Sequence, residues 1–197
     1  MTGTPRIERT ELTGVRGRLI KTVTRKMFGE VPEALEVMWH HPSVVMDSAA
    51  FGRKLQKWNQ VDSSLKTFAH MAVASLIGCT WCLDYNYFEA HNKGLDMDKA
   101  REVPCWRDST RFSPLERQVL DYAEAMSQTP ITVTDEASAA LQAELSPAGL
   151  IELTNVIAFA NMAARGNVAL GIEAQGFAAA CQLRPLAEPG RAVASSA

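Results

Sequence analysis

Strand signals are almost missing from this 197-residue chain. No run alternates apolar and polar residues with β-branched or aromatic enrichment over a useful length, which argues against a sheet-based fold. Charge of one sign is also scarce. Twenty Lys and Arg stand against 22 Asp and Glu, a net charge of −2, so there is no electrostatic case for nucleic acid or an anionic membrane surface. Apolar stretches are broken well short of a membrane span. The N-terminal MTGTPRIERTELTG lacks the apolar core of a signal peptide. These absences place the protein in the cytoplasm, where thiols are normally kept reduced. Cysteine is sparse, four residues unevenly spaced, and does not form a structural disulfide framework by its pattern. No Gly-, Pro- or Ser-rich stretch marks a linker. One domain over residues 11–185 is expected, with flexible ends at 1–10 and 186–197.

What the chain does have is helical periodicity throughout. Leu12, Val15, Leu19, Val23 and Met27 recur at three- and four-residue steps as an amphipathic stripe. Pro32 and Pro42 are placed to open two further helices. Asp62 or Ser63 caps a fourth, SLKTFAHMAVASLIG, which is apolar on most faces and therefore central, with Gly78 as its stop. A fifth runs from the cysteine pair to about Asn92. Asp96 to Val103 is a short charged segment, and Pro104 to Phe112 reads as loop. Ser113-Pro114-Leu115-Glu116 is a capping box with proline at the first helical position. Thr134-Asp135 and Ser146-Pro147 start the last helices, with Gly166 and Gly171 as expected bends. The sum is an all-α bundle of about eight helices.

The string Gly78-Cys79-Thr80-Trp81-Cys82 carries the chemistry. Two cysteines three apart are neighbours on the first turn of a helix. Unpaired backbone N–H groups and the helix dipole there favour a thiolate, the nucleophilic form. One cysteine can attack a disulfide or peroxide and the other can resolve the product. The redox reading expects the sulfurs side by side at a helix start and reachable by a small oxidant. The pair could instead be inert apolar packing. Metal binding needs a second half-site. Cys105, Cys181, His40, His41, His70 and His91 do not form one by spacing, so no metal is expected.

With those residues in view, the chain resembles the AhpD-like superfamily, which includes the carboxymuconolactone decarboxylases. Residues 62–95 carry the core of the likeness: an apolar helix ending MAVASLIGC, the CTWC string, and an aromatic-rich helix ending HNKGL. FSPLERQVLDYAEAMSQTP with ITVTDE, and LIELTNVIAFANMAARGNVALGI, extend it over most of the chain beyond residue 30. The resemblance implies an all-α, homo-oligomeric protein (trimer, dimer or hexamer) whose cysteines face a pocket near a subunit interface. It implies thiol peroxidase and disulfide reductase activity fed by a partner protein, with no cofactor. Cys79 and Cys82 match the two redox cysteines. Two positions depart from the pattern. Thr67 stands where the family has a proton-relaying glutamate, and Asn86 where it has a histidine.

His70 lies one turn beyond Thr67 and is the candidate replacement for the relay. Its bland reading is a core histidine bonded to a backbone carbonyl. Trp81, with Tyr85, walls a pocket or simply packs. Asp84 would raise a nearby thiol pKa and is a poor activator. Arg165, on an apolar helix, calls for a carboxylate such as Glu152 or Glu173. The expected function is a peroxidase-like thiol–disulfide oxidoreductase acting on a small peroxide or a partner disulfide. A cofactor-independent lyase using His70, His91 and Arg165, and a non-catalytic helical oligomer, are the competing readings.

Overall fold

The structure is a computed structural model that describes residues 5–187. Residues 1–4 and 188–197, parts of the two expected flexible ends, lie outside the described residues. The described residues form nine α-helices and one short 3-10 turn, with no strand among them. They are α1 (Gly14–Phe28), α2 (Glu33–Met38), α3 (Pro42–Lys57), α4 (Ser63–Ile77), α5 (Thr80–Asn92), α6 (Met97–Glu102), the 3-10 turn η1 (Val103–Cys105), α7 (Pro114–Ser127), α8 (Asp135–Leu170) and α9 (Phe177–Ala180).

Local chemistry sets most boundaries. Asp62 caps α4, its carboxylate accepting the Ser64 N–H at 2.7 Å. Ser113 and Glu116 close the expected capping box on α7. Thr134 caps α8. Ser146 sits at φ 69 and breaks α8 just before Pro147. Its hydroxyl accepts the Gly149 N–H, so a fresh helical start falls there, as Ser146-Pro147 predicts. Gly166 does not bend the helix, and Gly171 ends it.

α4 is the central helix and packs against α5, α7 and α8. Leu65 to Ala69 and Met71 to Ala74 are all buried. They join Leu120, Leu153, Ile157 and both paired cysteines in one hydrophobic cluster. At about 25 cal/mol per Å² of apolar area removed from water, such a cluster is the main force holding the bundle together.

Of the expected stripe Leu12, just before α1, is buried, but the four positions on α1 do not go inward. Val15 and Leu19 are 85% and 65% exposed, and Val23 and Met27 are exposed as well. The inward positions are Gly17 and Thr24. A Cβ on Gly17 would stand 2.7 Å from the Leu12 backbone and 3.0 Å from the Trp39 ring, so close approach orients the helix. Residues before α1 are tied down too. The Arg6 N–H donates to Leu170 O and the Thr10 N–H to Glu36 O.

Candidate active site

Two helix ends build the cysteine site. At the end of α4, Gly78 adopts φ 80 and its N–H donates to Ser75 O, while the Cys79 N–H donates to Ala74 O. This Schellman closure, which needs a left-handed residue, delivers Cys79 directly to the N-cap of α5. At the end of α8, Gly171 adopts φ 70, with its N–H on Val168 O and the Ile172 N–H on Asn167 O. The same closure therefore fixes Asn167 in the last turn of α8.

Cys79 and Cys82 are joined as a disulfide. The sulfurs lie side by side at a helix start, as the redox reading expects. Each accepts a hydrogen bond. Cys79 Sγ takes the Cys82 backbone N–H at 3.2 Å, and Cys82 Sγ takes the Asn167 side-chain N–H at 3.3 Å. Donors aimed at sulfur favour the thiolate once the bond is reduced. The expectation of a reachable pair is corrected. Cys79 is 1% and Cys82 2% exposed. The α5 face that carries them turns into the main apolar cluster instead of toward solvent.

The remaining candidates fall in different places. Asn86 is next to the pair, but its amide donates to Cys82 O at 2.7 Å rather than to sulfur. Trp81 stacks on Tyr85 with ring centroids 5.2 Å apart and meets the edge of Phe177. Its indole N–H reaches Gln175 Oε1. Burial and the Glu89 charge push the Tyr85 hydroxyl up to about 12, so it stays protonated. Asp84, one turn from Thr80, does not face the sulfurs as a free carboxylate. It accepts the Gly176, Phe177 and Ala178 N–H groups at 2.8 to 2.9 Å and anchors the segment after α8. Thr80 adds a bond from the Ala174 N–H.

Thr67 belongs to the other end of the α4–α5 pair, and His70 sits midway along α4. Thr67 donates to Ser63 O and accepts from Lys93 Nζ at 3.3 Å. Lys93 caps the C-terminus of α5, and Cys79 caps its N-terminus, so the full helix, roughly 20 Å, separates them. His70 meets the ring of Phe159 edge-on. Burial, helped by the Lys93 charge, lowers its pKa from 6.5 to about 4, so it is neutral near pH 7. No hydrogen bond joins it to either sulfur or to a backbone carbonyl among the described residues. Lys93 itself is pulled below the ordinary lysine value, chiefly by burial.

Of the two carboxylates expected for Arg165, Glu152 goes elsewhere. Glu152 pairs with Lys66 at 3.0 Å, both nearly fully buried, and also accepts the Gln60 N–H. Arg165 is exposed and donates to Ser127 O at 2.6 Å, covering the last carbonyls of α7. His91 is exposed near the end of α5, and no hydrogen bond, ion pair or ring contact among the described residues joins His70, His91 and Arg165 to one another. Among the described residues no group of three or more His, Cys, Asp or Glu side chains is arranged to hold a metal ion. No helix of the described residues is long and apolar enough to cross a membrane.

Asn167 lies beside Arg165 in AARGNVALG, part of the family-like segment, but sequence reasoning gives it no role at the cysteines. Its signal is a polar amide in the otherwise apolar run NVALGI, buried in the structure.

Comparison with known proteins agrees with this geometry. Residues 47–125 match the carboxymuconolactone decarboxylase family. The Escherichia coli protein YnjA, itself uncharacterised, is 33% identical over 153 residues, 77% of this chain and 84% of that protein. Among solved structures, the debrominase Bmp8 bound to 2,3,4-tribromopyrrole superposes with a TM-score of 0.76 at 20% identity, covering 91% of this chain and 98% of Bmp8. A peroxidase-related protein with an alkylhydroperoxidase AhpD core from Ralstonia eutropha gives a TM-score of 0.75 at 17% identity over 88% of this chain and 94% of that one. The chain therefore belongs to the carboxymuconolactone decarboxylase family, with an AhpD-like fold and a Cys79–Cys82 pair.

Proposed function

We propose that this protein is a thiol–disulfide oxidoreductase of peroxidase type, with Cys79 and Cys82 as its redox couple. The observation that carries this reading is the joined pair at the N-terminus of α5, with an N–H donor on each sulfur. In the reduced state one cysteine, as thiolate, attacks the peroxide. The O–O bond breaks, an alcohol leaves, and a sulfenic acid forms on sulfur. The second cysteine attacks that sulfur, water leaves, and the disulfide forms. An external dithiol, such as that of a partner protein, returns two electrons by two thiol–disulfide exchanges. With a disulfide substrate both halves of the cycle are exchanges.

Burial of the pair shapes this chemistry. A reagent must be small, or the cover over α5 must open locally, before sulfur is reached. Homo-oligomerisation and a cytoplasmic site accompany the reading. The lyase reading lacks the support of a contact among its groups: Arg165 is engaged with Ser127 O and His70 with the Phe159 ring. A halogenated aromatic is a further electron acceptor to assay, since the debrominase Bmp8 shares the fold.

The test is turnover of an alkyl hydroperoxide, a small disulfide and a bromopyrrole with dithiothreitol as donor. Cys79→Ser and Cys82→Ser are each expected to fall to the uncatalysed rate. Full activity in both variants would end the proposal.

A further inference from the structure

The two sulfurs are held by donors of different kinds. The group on Cys79 Sγ is the backbone N–H of Cys82, part of α5 itself. The group on Cys82 Sγ is a side chain from another helix, the Asn167 amide of α8, at 3.3 Å. Asn167 is buried, and its backbone is fixed by the Gly171 closure, so the amide meets sulfur without reorganising. Charged groups on the elements around the pair are engaged elsewhere. Asp84 of α5 holds residues 176–178, Lys66 of α4 pairs with Glu152 of α8, and Arg165 of α8 donates to Ser127 O. His70 of α4 meets Phe159 and the field of Lys93. An amide N–H placed on one sulfur of a buried pair then weighs heavily, because a hydrogen bond to a charged group is roughly twice as strong as a neutral one.

We propose that Asn167, by donating its side-chain N–H to Cys82 Sγ, places the negative charge of the reduced pair on Cys82 and sets the reduction potential of the Cys79–Cys82 couple. This rests on the redox reading above only for its biological use. The equilibrium itself is a property of the couple. Two electrons from an external dithiol break the S–S bond. Of the two protons the dithiol gives up, one goes to Cys79 as thiol and the other to solvent, and Cys82 is left as the thiolate that Asn167 stabilises. The donor becomes its own disulfide. Stabilising the reduced form makes the couple more oxidising. Sequence position alone leaves the charge unassigned between the two cysteines; the α8 amide assigns it to Cys82.

The experiment equilibrates the purified full-length protein in dithiothreitol redox buffers and follows thiolate absorbance against pH. Variants are Asn167→Asp, isosteric but repelling a thiolate, and Asn167→Ala, which keeps the helix. The expected result is an equilibrium shifted about tenfold toward the disulfide in Asn167→Ala, or ~30 mV more reducing. Asn167→Asp is expected to shift further, with its lower-titrating thiol raised by at least about one pKa unit. Iodoacetamide labelling near pH 7 should move from Cys82 in the wild type toward Cys79 in both variants. Potentials and labelling pattern unchanged within about twofold, with melting temperature intact, would overturn the proposal. If Asn167→Asp does not fold, Asn167→Ala decides alone. A wild type that reduces no substrate while the potentials still shift would sink the redox function and leave the role of Asn167 standing.

Discussion

The two ends of the α4–α5 pair use polar groups in opposite ways. At the cysteine end the polar atoms around the sulfurs are neutral amides, the Cys82 N–H, Asn86 and Asn167. Toward the far end they are ionisable, Lys66 with Glu152 and Lys93, with Asp62 exposed at the start of α4 and His70 midway along it. Neutral donors aimed at sulfur bias a covalent equilibrium without adding a second titration. Ionisable groups in the same apolar surroundings make stability depend on pH and on pairing. The comparison teaches that the groups touching sulfur are neutral, while the ionisable groups, Asp84 on the same stretch of α5 included, are engaged away from it. In the family pattern the positions of Thr67 and Asn86 serve a single relay, but here Thr67 turns to Lys93 and Asn86 to a backbone carbonyl.

The largest effect is expected from the Lys66–Glu152 pair. Both side chains are nearly fully buried, at 6% and 5% exposed. Lys66 also donates to Trp58 O at 2.6 Å. Removing one partner leaves a buried charge without compensation, which costs about 3–5 kcal/mol. Lys66→Met is expected to lose that much in urea unfolding, and the double variant Lys66→Met with Glu152→Leu should regain most of it. The comparison is sharpened if the disulfide equilibrium of the double variant matches the wild type. It breaks if that equilibrium moves as far as it does in the Asn167 variants, because the two ends would then be coupled.

His70 should give the next effect, visible as pH dependence. Its folded pKa of about 4 lies below the unfolded 6.5. Between those values the unfolded chain takes up a proton that the folded chain refuses, so stability falls as pH drops from 6.5 toward 4. Each unit is 1.36 kcal/mol, so about 2 kcal/mol is lost by pH 5. His70→Phe, which keeps a ring against Phe159, should remove that loss when unfolding is measured at pH 7 and pH 5. An identical pH dependence in both proteins would show that His70 is solvated and ordinary. A turnover profile with an inflection near 6.5 that His70→Phe abolishes would return it to the catalytic role that its place beside Thr67 suggests.

The parts of the fold that depend on neighbours in sequence were legible before any coordinates. Asp62, Ser113 with Glu116, Thr134 and Ser146-Pro147 start helices through bonds to residues two or three positions away, so short-range chemistry sufficed. The apolar surround of α4 was legible for the same reason, and the family pattern located the cysteines. What stayed hidden depends on partners far along the chain. Nothing near Gly17 announces that Leu12 and Trp39 will press against it and turn the α1 stripe outward. Asn167 meets Cys82 across 85 residues, and Glu152 meets Lys66 across 86. Burial of the pair was equally invisible, because helix-start chemistry fixes where the sulfurs sit on α5 but not which face of α5 the bundle covers.

The smallest expected effect separates the two N-caps of the hairpin. Asp62 caps α4 with a carboxylate, and Cys79 caps α5 with sulfur. Hydrogen bonds from the Ser64 side chain and backbone hold the Asp62 carboxyl below its ordinary 3.8. A depressed carboxyl contributes stability above the unfolded value that is lost as pH falls through and below 3.8. The window is therefore more acid than that of His70. Asp62→Ala is expected to lose ~1 kcal/mol at pH 7. The loss should shrink as pH falls below 3.8 and the wild-type carboxyl becomes protonated. Thermal melts of both proteins at pH 7 and pH 3, with the disulfide intact, test this. A sulfur N-cap bonded into a disulfide has no such titration. Once the disulfide is reduced, an acid-dependent loss should appear at the Cys79–Cys82 end as well, and should follow the thiolate rather than a carboxyl. An equal acid response of oxidised and reduced protein in the Asp62→Ala background would break the division between the two ends.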